Sequence, residues 1–589
     1  MAQASASRSH TLARVRAWHM ALLAVSGLFV IRLFYLQVIR HDHYQQAALR
    51  GQLKQYEIPA ERGEIIAHNG DTTAALVLNE KRYLLYADPS FVKDASGAAA
   101  QIQKIIGGDQ STYESLMNTE GSRYEILAKK LTREQNQQIL DLKLKGIGTQ
   151  EQVYRTYPQG SLAAQLLGFV NDEGNGQYGI EQALNDELSG EPGQLKAITD
   201  AQGIPLAANR ENVVIDPVPG KKLLLSVDLG LQQQVEDILG QQVKETKAKR
   251  GSALVMDVRS GKIKAMGTYP TYDPAKFYEV QDASVFTNPI TNEAFEVGSI
   301  MKPLTAAAAL DQGVVNQNTS YYDPASYVVD GATVRNIEED GGAGTKTIAD
   351  ILQLSLNTGA TWLLMQMGGG EINQQARERW HDYLVNHYQF GKATGVEQGD
   401  ESAGFVPDPN DGYGRNIRYA NTSFGQGQTE TMMQMAAALS ATVNGGTYYR
   451  PTLIDGYMKD DGSVDTKQPD VVSTTVVKPE VSQLIQNYME YTLEKNKYTY
   501  GVSVLNGAYS YGGKTGTAQI ASPDGGYYED KFNGTFMGYV GGNEPQYVIV
   551  VWVQEPTNIT GYAGAKAAAP VYFKVADVLT ANFDIKPKS

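Results

Sequence analysis

The chain has 589 residues, of which 42% are hydrophobic and 20% are charged, and its formal net charge is −14. This composition is typical of a globular protein, and the length exceeds what one compact core supports, so two or three domains are expected. The negative charge and the lack of a dense basic run argue against a nucleic-acid-binding surface. The chain contains no cysteine, which excludes disulfides, thiolate nucleophiles and cysteine-ligated metals.

One apolar segment, residues 17–38, is long enough to span a bilayer, which needs about 20 residues. Arg32 interrupts it near one end, where an arginine side chain can reach the membrane interface. A cleaved signal peptide is the alternative, but the apolar run continues past Ala24-Val25-Ser26, where the only plausible cleavage site lies. We therefore expect residues 1–16 to be a cytoplasmic tail and residues 17–38 to be an uncleaved transmembrane anchor.

Residues 39–218 contain no catalytic constellation. The turn pair Asn69-Gly70 precedes a strand-like run at 74–86, and charged helical patterns follow as far as about residue 142. This mixture favours a spacer or docking module with helices and strands. Residues 213–220 (VVIDPVPG) are predicted to link this module to a second domain, residues 219–589.

The second domain shows alternating helix and strand signals. Asp228 is predicted to cap a helix that runs to about Lys247, because apolar residues recur on one face of that segment. Later predicted elements comprise a hairpin, two helices and three strands: 252–257 with 262–266, 348–356, 360–367, 514–520, 535–540 and 547–553. The two helices are expected to be separated by a break at Asn357-Thr358-Gly359.

The most informative stretch is residues 295–303 (FEVGSIMKP), followed by helix-forming residues as far as Gly313. Ser299 is predicted to lie at the start of this helix, where free N–H groups favour developing negative charge. Lys302 comes three residues later and hence lies on the same helix face. A hydroxyl beside an amine is the arrangement for a serine nucleophile whose base is lysine rather than histidine.

A single Ser-x-x-Lys pattern is weak, and the chain contains another, Ser90-Phe91-Val92-Lys93, without a helical run behind it. Ser299 differs because Ser355-Leu356-Asn357 and Lys514-Thr515-Gly516-Thr517 follow in order. Ser355 and Asn357 are expected to face a cleft, and Gly516 would let a ligand's backbone approach the strand closely. The three patterns together match the motif set of serine enzymes that recognise penicillin.

With these motifs, nearly the whole chain resembles a class B penicillin-binding protein, a peptidoglycan D,D-transpeptidase of the FtsI/PbpA type. Outside the catalytic motifs, the matching patterns are Arg62-Gly63 with Asn69-Gly70, Arg155-x-Tyr157-Pro158, Gly179-Ile180-Glu181, Gly251-Ser252-Ala253, Met256-Asp257, Gly261-Lys262-Ile263, Phe424-Gly425-Gln426-Gly427 and Asn444-Gly445-Gly446. The sequence departs from the family at Val297, where proline is usual, at Leu356 and at Ala67-His68, which replace an Asp-Arg pair. None of these departures removes a reacting group.

The resemblance implies an α+β fold. The catalytic part would be a penicillin-binding transpeptidase domain, similar to β-lactamases, with a mainly antiparallel sheet flanked by helices. An elongated non-catalytic module of the pedestal or dimerisation type and one transmembrane helix would precede it. The nucleophile is expected in a cleft beside the edge strand that carries Lys514.

The resemblance also implies the catalytic roles. Ser299 would attack the penultimate D-Ala carbonyl of a donor stem peptide, with Lys302 as general base. Backbone N–H groups of Ser299 and Thr517 would form the oxyanion hole. Ser355 would relay a proton to the departing D-alanine, and Asn357 would orient Lys302 and the stem-peptide amide.

Further implications concern ligands and location. Lys514, Thr515 and Thr517, with Gly516 between them, would bind the terminal carboxylate, and an acceptor stem-peptide amine would then attack the acyl-enzyme. β-Lactams would acylate Ser299, and the chemistry would need no metal and no cofactor. The implied partners are a lipid II polymerase of the SEDS type and other membrane proteins of cell-wall synthesis. The catalytic domain would be extracytoplasmic, on a single-pass protein of the cytoplasmic (inner) membrane.

Several alternatives remain open. Total length, one anchor and a module of modest size favour septal synthesis over side-wall elongation. A D,D-carboxypeptidase or β-lactamase would share the motifs, but an anchored chain with a large amino-terminal module fits neither well. A β-lactam-sensing receptor would need further membrane spans, and residues 39–218 offer no paired-glutamate site for a glycosyltransferase. The intact motif residues argue against a catalytically inactive scaffold.

Overall fold

The structure is a computed structural model that describes residues 4–41, 53–198, 213–336, 342–410, 412, 414–502, 505–522, 525–583 and 585–589. The contacts between residues divide the chain into two compact units. The first comprises Met1–Glu61 and Gly190–Pro219, and the second comprises Arg62–Ser189 and Gly220–Ser589. The chain therefore leaves the second unit after Ser189 and enters it again at Gly220.

The first unit contains a long amino-terminal helix, Ala4–Phe34, which continues as a π-helical turn, Tyr35–Ile39. Within the described residues, Arg14–Ile39 is the one helical segment long and apolar enough to cross a membrane. Its apolar side chains, such as those of Leu22 and Phe29, are exposed, as a single-pass membrane anchor requires. The helix thus agrees with the predicted anchor at 17–38.

The first unit also contains a three-stranded antiparallel sheet. Its strands, in spatial order, are Leu53–Ile58, Gly193–Ile198 and Val213–Ile215. The third strand opens the segment that the sequence predicts to be a linker, so the first three residues of that segment belong to a sheet. The consecutive β-branched residues Val213, Val214 and Ile215 explain this, because β-branched residues favour extended backbone.

A seven-stranded sheet lies in the second unit. It contains strands from before and after residues 190–219, which belong to the first unit. Its strands, in spatial order, are Val464–Thr466, Ile454–Met458, Lys222–Asp228, Ile65–Asn69, Thr72–Ala87 and Glu125–Leu131, with Ile147–Thr156 also paired to Thr72–Ala87. The helices and short strands that accompany it before residue 190 are Ala95–Ile106, Gln110–Met117, Arg133–Asp141, Ala164–Leu167, Phe169–Val170, Gly176–Gln177, Gly179–Ala183 and Asn185–Ser189. The predicted strand at 74–86 is confirmed.

Glu181 is the centre of a buried charged cluster in this region. Its carboxylate pairs with Arg62 at 2.6 Å and with Arg155 at 2.8 Å. The Arg155 guanidinium also donates to Asn79 Oδ1 at 2.8 Å and to the Gly63 carbonyl at 2.7 Å. Three patterns that are far apart in sequence therefore meet at one carboxylate, which is fully buried.

A five-stranded antiparallel sheet forms the centre of the remaining part. Its strands, in spatial order, are Ile263–Tyr269, Arg250–Asp257, Pro545–Gln554, Tyr527–Gly541 and Ser510–Ala521. Alternating residues of Pro545–Gln554 face two separate cores, Val548 and Val550 one core and Ile549 and Val551 the other. Both faces are therefore covered, which confirms the predicted α+β architecture. Ser510–Ala521, called the edge strand below, lies at one side of the sheet, as predicted.

Helices cover the two faces of this sheet. Leu229–Thr246 begins directly after Asp228, whose carboxylate accepts a hydrogen bond from the Leu231 N–H at 2.9 Å, so the predicted cap is confirmed. The other α-helices are Pro289–Asn292, Lys302–Asp311, Ile348–Gln353, Asn357–Met367, Gln374–Asp382, Arg415–Thr422, Met432–Val443, Pro479–Asn496 and Ala569–Asn582. Shorter 3₁₀ and π segments are Pro274–Glu279, Ala283–Phe286, Gly298–Met301, Tyr383–His387 and Gly564–Ala568. Small outlying strands are Ser320–Asp323, Ser326–Val329, Ala332–Arg335, Gly344–Thr347, Tyr448–Tyr449 and Val471–Ser473.

Candidate active site

Ser299 lies in a short helical turn that leads into a buried helix. Gly298–Met301 forms a 3₁₀ turn and Lys302–Asp311 continues as an α-helix, so the predicted helix start is confirmed. Gly298 has a φ of 66°, which glycine adopts without strain. Its N–H donates to the Gly425 carbonyl at 2.9 Å, and this bond anchors the turn to a neighbouring loop.

The Lys302 amine is the hub of the hydrogen bonds in the site. The side chain is fully buried, and Nζ lies 2.9 Å from Ser299 Oγ, 2.8 Å from Asn357 Oδ1 and 3.2 Å from Ser355 Oγ. Nζ also contacts the Ser355 carbonyl oxygen. A buried amine needs such partners, because burying an uncompensated charge or polar group is costly.

The second motif lies at a junction between two helices, as the sequence predicts, but the break itself comes earlier in the chain than expected. Ile348–Gln353 ends before Ser355, and Asn357 is the first residue of the helix Asn357–Met367. The break expected at Asn357-Thr358-Gly359 is therefore wrong. Ser355 itself turns the chain, with a φ of 59°.

Gly359 serves close packing inside the helix Asn357–Met367 and does not interrupt it, so the break predicted there is absent. A Cβ on Gly359 would lie 2.6 Å from Ile351 Cγ1 and 2.7 Å from the Tyr321 hydroxyl. The helix start is supported instead by the Asn336 side chain, which accepts a hydrogen bond from the Thr358 N–H at 3.1 Å. Only the packed structure distinguishes these two uses of glycine.

Lys514 enters the site from the edge strand. Its side chain is 1% exposed, and Nζ lies 2.9 Å from Ser355 Oγ and 2.8 Å from the Thr515 carbonyl. The Ser355 hydroxyl therefore lies between the amines of Lys302 and Lys514. The structure thus brings Ser299, Lys302, Ser355, Asn357 and Lys514 into one hydrogen-bonded network.

The residues after Lys514 pack closely against the Ser299 turn. A Cβ on Gly516 would lie 2.3 Å from Thr535 Oγ1 and 3.0 Å from the Val297 carbonyl, so glycine lets the turn approach the strand. The close approach of a ligand's backbone at Gly516 stays a prediction beside this packing role. Thr517 Oγ1 accepts a hydrogen bond from the Gly564 N–H at 3.1 Å.

Sequence reasoning missed Glu296 and Tyr527. The Glu296 carboxylate accepts hydrogen bonds from the Tyr527 hydroxyl at 2.9 and 3.0 Å and from the Gly427 N–H at 2.8 Å. Glu296 precedes Ser299 by three residues, which was an available signal. Nothing local in the sequence pairs it with Tyr527, which is 231 residues away.

A second carboxyl lies nearby. Glu430 is fully buried, and no hydrogen-bond partner reaches its carboxyl oxygens among the described residues. Burial, with a smaller contribution from the Glu296 charge, raises the pKa of Glu430 well above its usual range. Burial, and next the Glu296 charge, also raises the pKa of Tyr527. The Glu430 carboxyl therefore holds its proton more tightly than an exposed glutamate does.

The second Ser-x-x-Lys pattern has a different environment. Ser90 is exposed on the turn after strand Thr72–Ala87, and its hydroxyl donates to Asp88 Oδ1 at 2.5 Å. An acceptor carboxylate holds this hydroxyl, whereas Ser299 contacts a buried amine. The two Ser-x-x-Lys patterns therefore have different surroundings, and only the one at Ser299 places the serine beside a buried lysine.

Comparisons with known proteins show which proteins the chain resembles. The family model for the penicillin-binding protein transpeptidase domain matches residues 251–577, and the model for the penicillin-binding protein dimerisation domain matches residues 57–225. Stage V sporulation protein D of Bacillus subtilis is 28% identical over 98% of this chain and 88% of its own length. Peptidoglycan D,D-transpeptidase FtsI of Escherichia coli K12 is 27% identical over 97% of this chain and 92% of its own length.

Solved structures share the fold. Penicillin-binding protein 2X from Streptococcus thermophilus has a TM-score of 0.71 at 24% identity, covering 90% of this chain and 81% of that chain. Penicillin-binding protein 3 from Mycobacterium tuberculosis, complexed with aztreonam, has a TM-score of 0.67 at 24% identity, covering 90% and 98%. Because the transpeptidase-domain match alone covers more than half of the sequence, the chain belongs to the penicillin-binding protein transpeptidase family, as a class B member that also carries the dimerisation domain.

Proposed function

We propose that this protein is a peptidoglycan D,D-transpeptidase that cross-links stem peptides through an acyl-enzyme on Ser299 and releases D-alanine. The observation that carries the proposal is the 2.9 Å contact between Ser299 Oγ and the buried Lys302 amine. The Lys514 amine lies close by and donates a hydrogen bond to the Ser355 hydroxyl. The relative from Escherichia coli is named a peptidoglycan D,D-transpeptidase, which supports the same reaction here.

The first step is attack by Ser299 on the penultimate D-Ala carbonyl of a donor stem peptide. A neutral Lys302 amine has one lone pair and two N–H groups. The lone pair takes the Ser299 proton while the N–H groups donate to Asn357 Oδ1 and to the Ser355 carbonyl, which are both within reach. Asn357 thereby orients the base.

Negative charge then develops on the attacked carbonyl oxygen. Backbone N–H groups of Ser299 and Thr517 stabilise this oxyanion, because such donors are in place before the charge forms. The close packing of Gly516 on the Val297 carbonyl supports this assignment, since it brings the edge strand to the Ser299 turn. Lys514, Thr515 and Thr517 bind the terminal carboxylate of the donor beside Gly516.

Collapse of the intermediate breaks the amide bond to the terminal D-alanine. Ser355 Oγ, which lies 3.2 Å from the Lys302 amine, gives its proton to the departing amine and takes one from the Lys302 ammonium. An acceptor stem-peptide amine then attacks the Ser299 ester, and the same groups return the protons. The products are a new amide cross-link and the free enzyme.

The decisive experiment is labelling with a fluorescent penicillin, followed by mass mapping of the adduct. Wild-type protein and Ser90→Ala should be labelled stoichiometrically, and Ser299→Ala should not be labelled although it folds. Ser90→Ala is a matched control because it removes the serine of the other Ser-x-x-Lys pattern. An adduct on Ser90 or Ser355 would contradict the assignment. Penicillin-binding protein 3 from Mycobacterium tuberculosis has been solved with ampicillin and aztreonam, which supports β-lactams as ligands here.

The cellular role that we propose is septal synthesis in the cytoplasmic membrane, with a lipid II polymerase of the SEDS type as partner. Residues 39–218 serve as the non-catalytic module, and residues 219–589 carry the chemistry on the extracytoplasmic side. A fluorescent-protein fusion should gather at midcell, and depletion should produce filaments or chains. Label dispersed along the side wall, with rounded cells on depletion, would assign the protein to elongation instead.

A further inference from the structure

The Glu296 carboxylate connects three segments that are separate in the sequence. Glu296 itself belongs to the strand-like approach to the Ser299 turn. Its oxygens accept from the Gly427 N–H at 2.8 Å and from the Tyr527 hydroxyl at 2.9 and 3.0 Å. Tyr527 opens the strand Tyr527–Gly541 and pairs with Ala521, the last residue of the edge strand.

The hairpin formed by the edge strand and Tyr527–Gly541 therefore contacts the segment that leads into the Ser299 turn at two places. At the near place, Gly516 packs on the Val297 carbonyl and Thr535 Oγ1 donates to the same oxygen at 3.2 Å. At the far place, beyond Thr517, the Tyr527 hydroxyl on the neighbouring strand donates hydrogen bonds to the Glu296 carboxylate. Thr517 lies between the two places along the strand.

The backbone around Glu296 is otherwise fixed on the opposite side. Phe295 exchanges two main-chain hydrogen bonds with Glu430, each 3.1 Å long, and its ring stacks on Trp552 with centroids 4.0 Å apart. The Gly298 N–H donates to the Gly425 carbonyl. The Glu296 side chain therefore faces the hairpin formed by the edge strand and Tyr527–Gly541. The side chains on either side of it, Phe295 and Val297, are buried in the core.

We propose that Glu296 is a positioning residue for acylation, which acts with Tyr527 to hold the Ser299 turn and the outer half of the edge strand in register. This inference rests on the proposed function and adds to it a residue pair outside the three motifs. The pair does not touch the reacting atoms. It sets the separation between the N–H groups of Ser299 and Thr517, which must both reach one oxyanion.

The expected kinetic effect follows from this geometry. Displacements of about 1 Å in a catalytic arrangement can cost about 100-fold in rate. Lys514 and Thr515, two of the three residues proposed to bind the ligand carboxylate, precede Gly516 and lie on the side of the strand away from Tyr527, so loss of the pair should affect binding less than bond formation. Loss of the pair should therefore slow the bond-forming step, in which the Ser299 Oγ–carbonyl bond forms, the lactam C–N bond breaks and the lactam nitrogen takes a proton. The dissociation constant of the complex before acylation should change little.

The test uses the full-length protein in detergent and stopped-flow acylation by a fluorescent penicillin over a range of concentrations. The concentration dependence separates the initial dissociation constant from the acylation rate constant. Tyr527→Phe removes only the hydroxyl and should lower the acylation rate constant about tenfold, with the dissociation constant changed less than about twofold. Tyr528→Phe, the neighbouring residue on the same strand, is the matched control and should behave as wild type.

The partner residue provides the second arm. Glu296→Ala should lower the rate constant at least as much as Tyr527→Phe, and the double variant should be no slower than Glu296→Ala, because both remove one connection. Glu296→Gln should recover most of the rate, since its amide can accept from Gly427 and donate to the Tyr527 oxygen. Thermal melts on each variant separate misfolding from misplacement.

The outcomes are distinguishable. A rate constant for Tyr527→Phe within twofold of wild type, losses that multiply in the double variant, or equal rates for Glu296→Gln and Glu296→Ala would overturn the inference. If the effect appeared only in the melting temperature, the pair would be structural and the inference would also fail. Failure of wild-type protein to acylate at Ser299 would instead overturn the proposed function itself.

Discussion

At the scale of single residues, the site depends on one hydroxyl shared by two amines. Ser355 Oγ lies 3.2 Å from Lys302 Nζ and 2.9 Å from Lys514 Nζ. Ser355 reaches this place with a φ of 59°, a left-handed conformation that is uncommon for residues other than glycine. Such local strain persists where surrounding contacts hold it, which is common at functional sites.

The proposed role of Lys302 as general base leads to a prediction with a matched pair of variants. Lys302→Met should keep the volume of the side chain yet slow acylation by several orders of magnitude, because Ser299 would keep its proton. Lys302→Arg should fare nearly as badly, since guanidinium does not lose its proton in proteins. Stopped-flow acylation measures both variants, and near-normal rates in either would overturn the role.

At the scale of elements, the Glu181 cluster explains why three distant patterns accompany the catalytic motifs. Glu181→Ala would leave the guanidiniums of Arg62 and Arg155, which are 9% and 6% exposed, without their counter-ion. Removing one partner of a buried ion pair costs about 3–5 kcal/mol, so the free energy of unfolding should fall by that order in a denaturant titration. Lys129→Ala is the control, because its pair with Asp172 is 41% and 67% exposed and should contribute about 1 kcal/mol or less.

The long helix Leu229–Thr246 contains a carboxyl that makes stability depend on pH. Burial raises the pKa of Glu236 to about 7, against the opposing hydrogen bonds from Gln232 and from the Ala163 N–H. Because the folded pKa lies above the unfolded value of 4.5, the folded state holds the proton more tightly. This contribution to stability is complete below about pH 4.5 and is lost as the pH rises through 7.

Glu236→Gln should remove this dependence while keeping an acceptor for the Ala163 N–H. The free energy of unfolding of the wild type, relative to that of the variant, should fall between pH 4.5 and 7. The fall should be at most about 3 kcal/mol, because each pKa unit corresponds to about 1.4 kcal/mol. Glu245→Gln changes an exposed residue of the same helix and should leave the pH dependence unchanged. Parallel curves for wild type and Glu236→Gln would contradict the prediction.

At the scale of the whole molecule, the anchor and the catalytic part belong to different compact units. The helix Ala4–Phe34 exposes its apolar side chains to its surroundings, which is costly in water and favourable in lipid. The second unit instead buries its apolar residues in cores on both faces of the five-stranded sheet. This division fits a membrane-anchored enzyme whose chemistry takes place outside the bilayer.

The topology gives a prediction at this scale. We predict that the anchor is not cleaved, so the mature protein should retain residues 1–38 and fractionate with membranes. In spheroplasts, added protease should digest the chain from about residue 40 onward and spare the amino-terminal tail. A mature amino terminus near Gly27 would show that the segment is a cleaved signal instead.

The sequence by itself predicted the candidate reacting residues and determined most element types. Ser299, Lys302 and Lys514 belong to short patterns whose chemistry can be read locally. The strands at 514–520, 535–540 and 547–553 follow from their content of β-branched and aromatic residues. The helix start at Ser299 and the cap at Asp228 are equally local, because a cap and its first turn lie within a few residues.

Only the tertiary structure decided how these pieces meet. The helix break at Ser355 rather than Asn357, the close packing of Gly516 on the Ser299 turn, and the contact between Glu296 and Tyr527 all depend on atoms from distant parts of the chain. Local sequence carries the propensity of a segment, whereas a hydrogen bond across 231 residues exists only after packing brings both groups together. Contacts of this kind are specified by burial and shape, which no short pattern encodes.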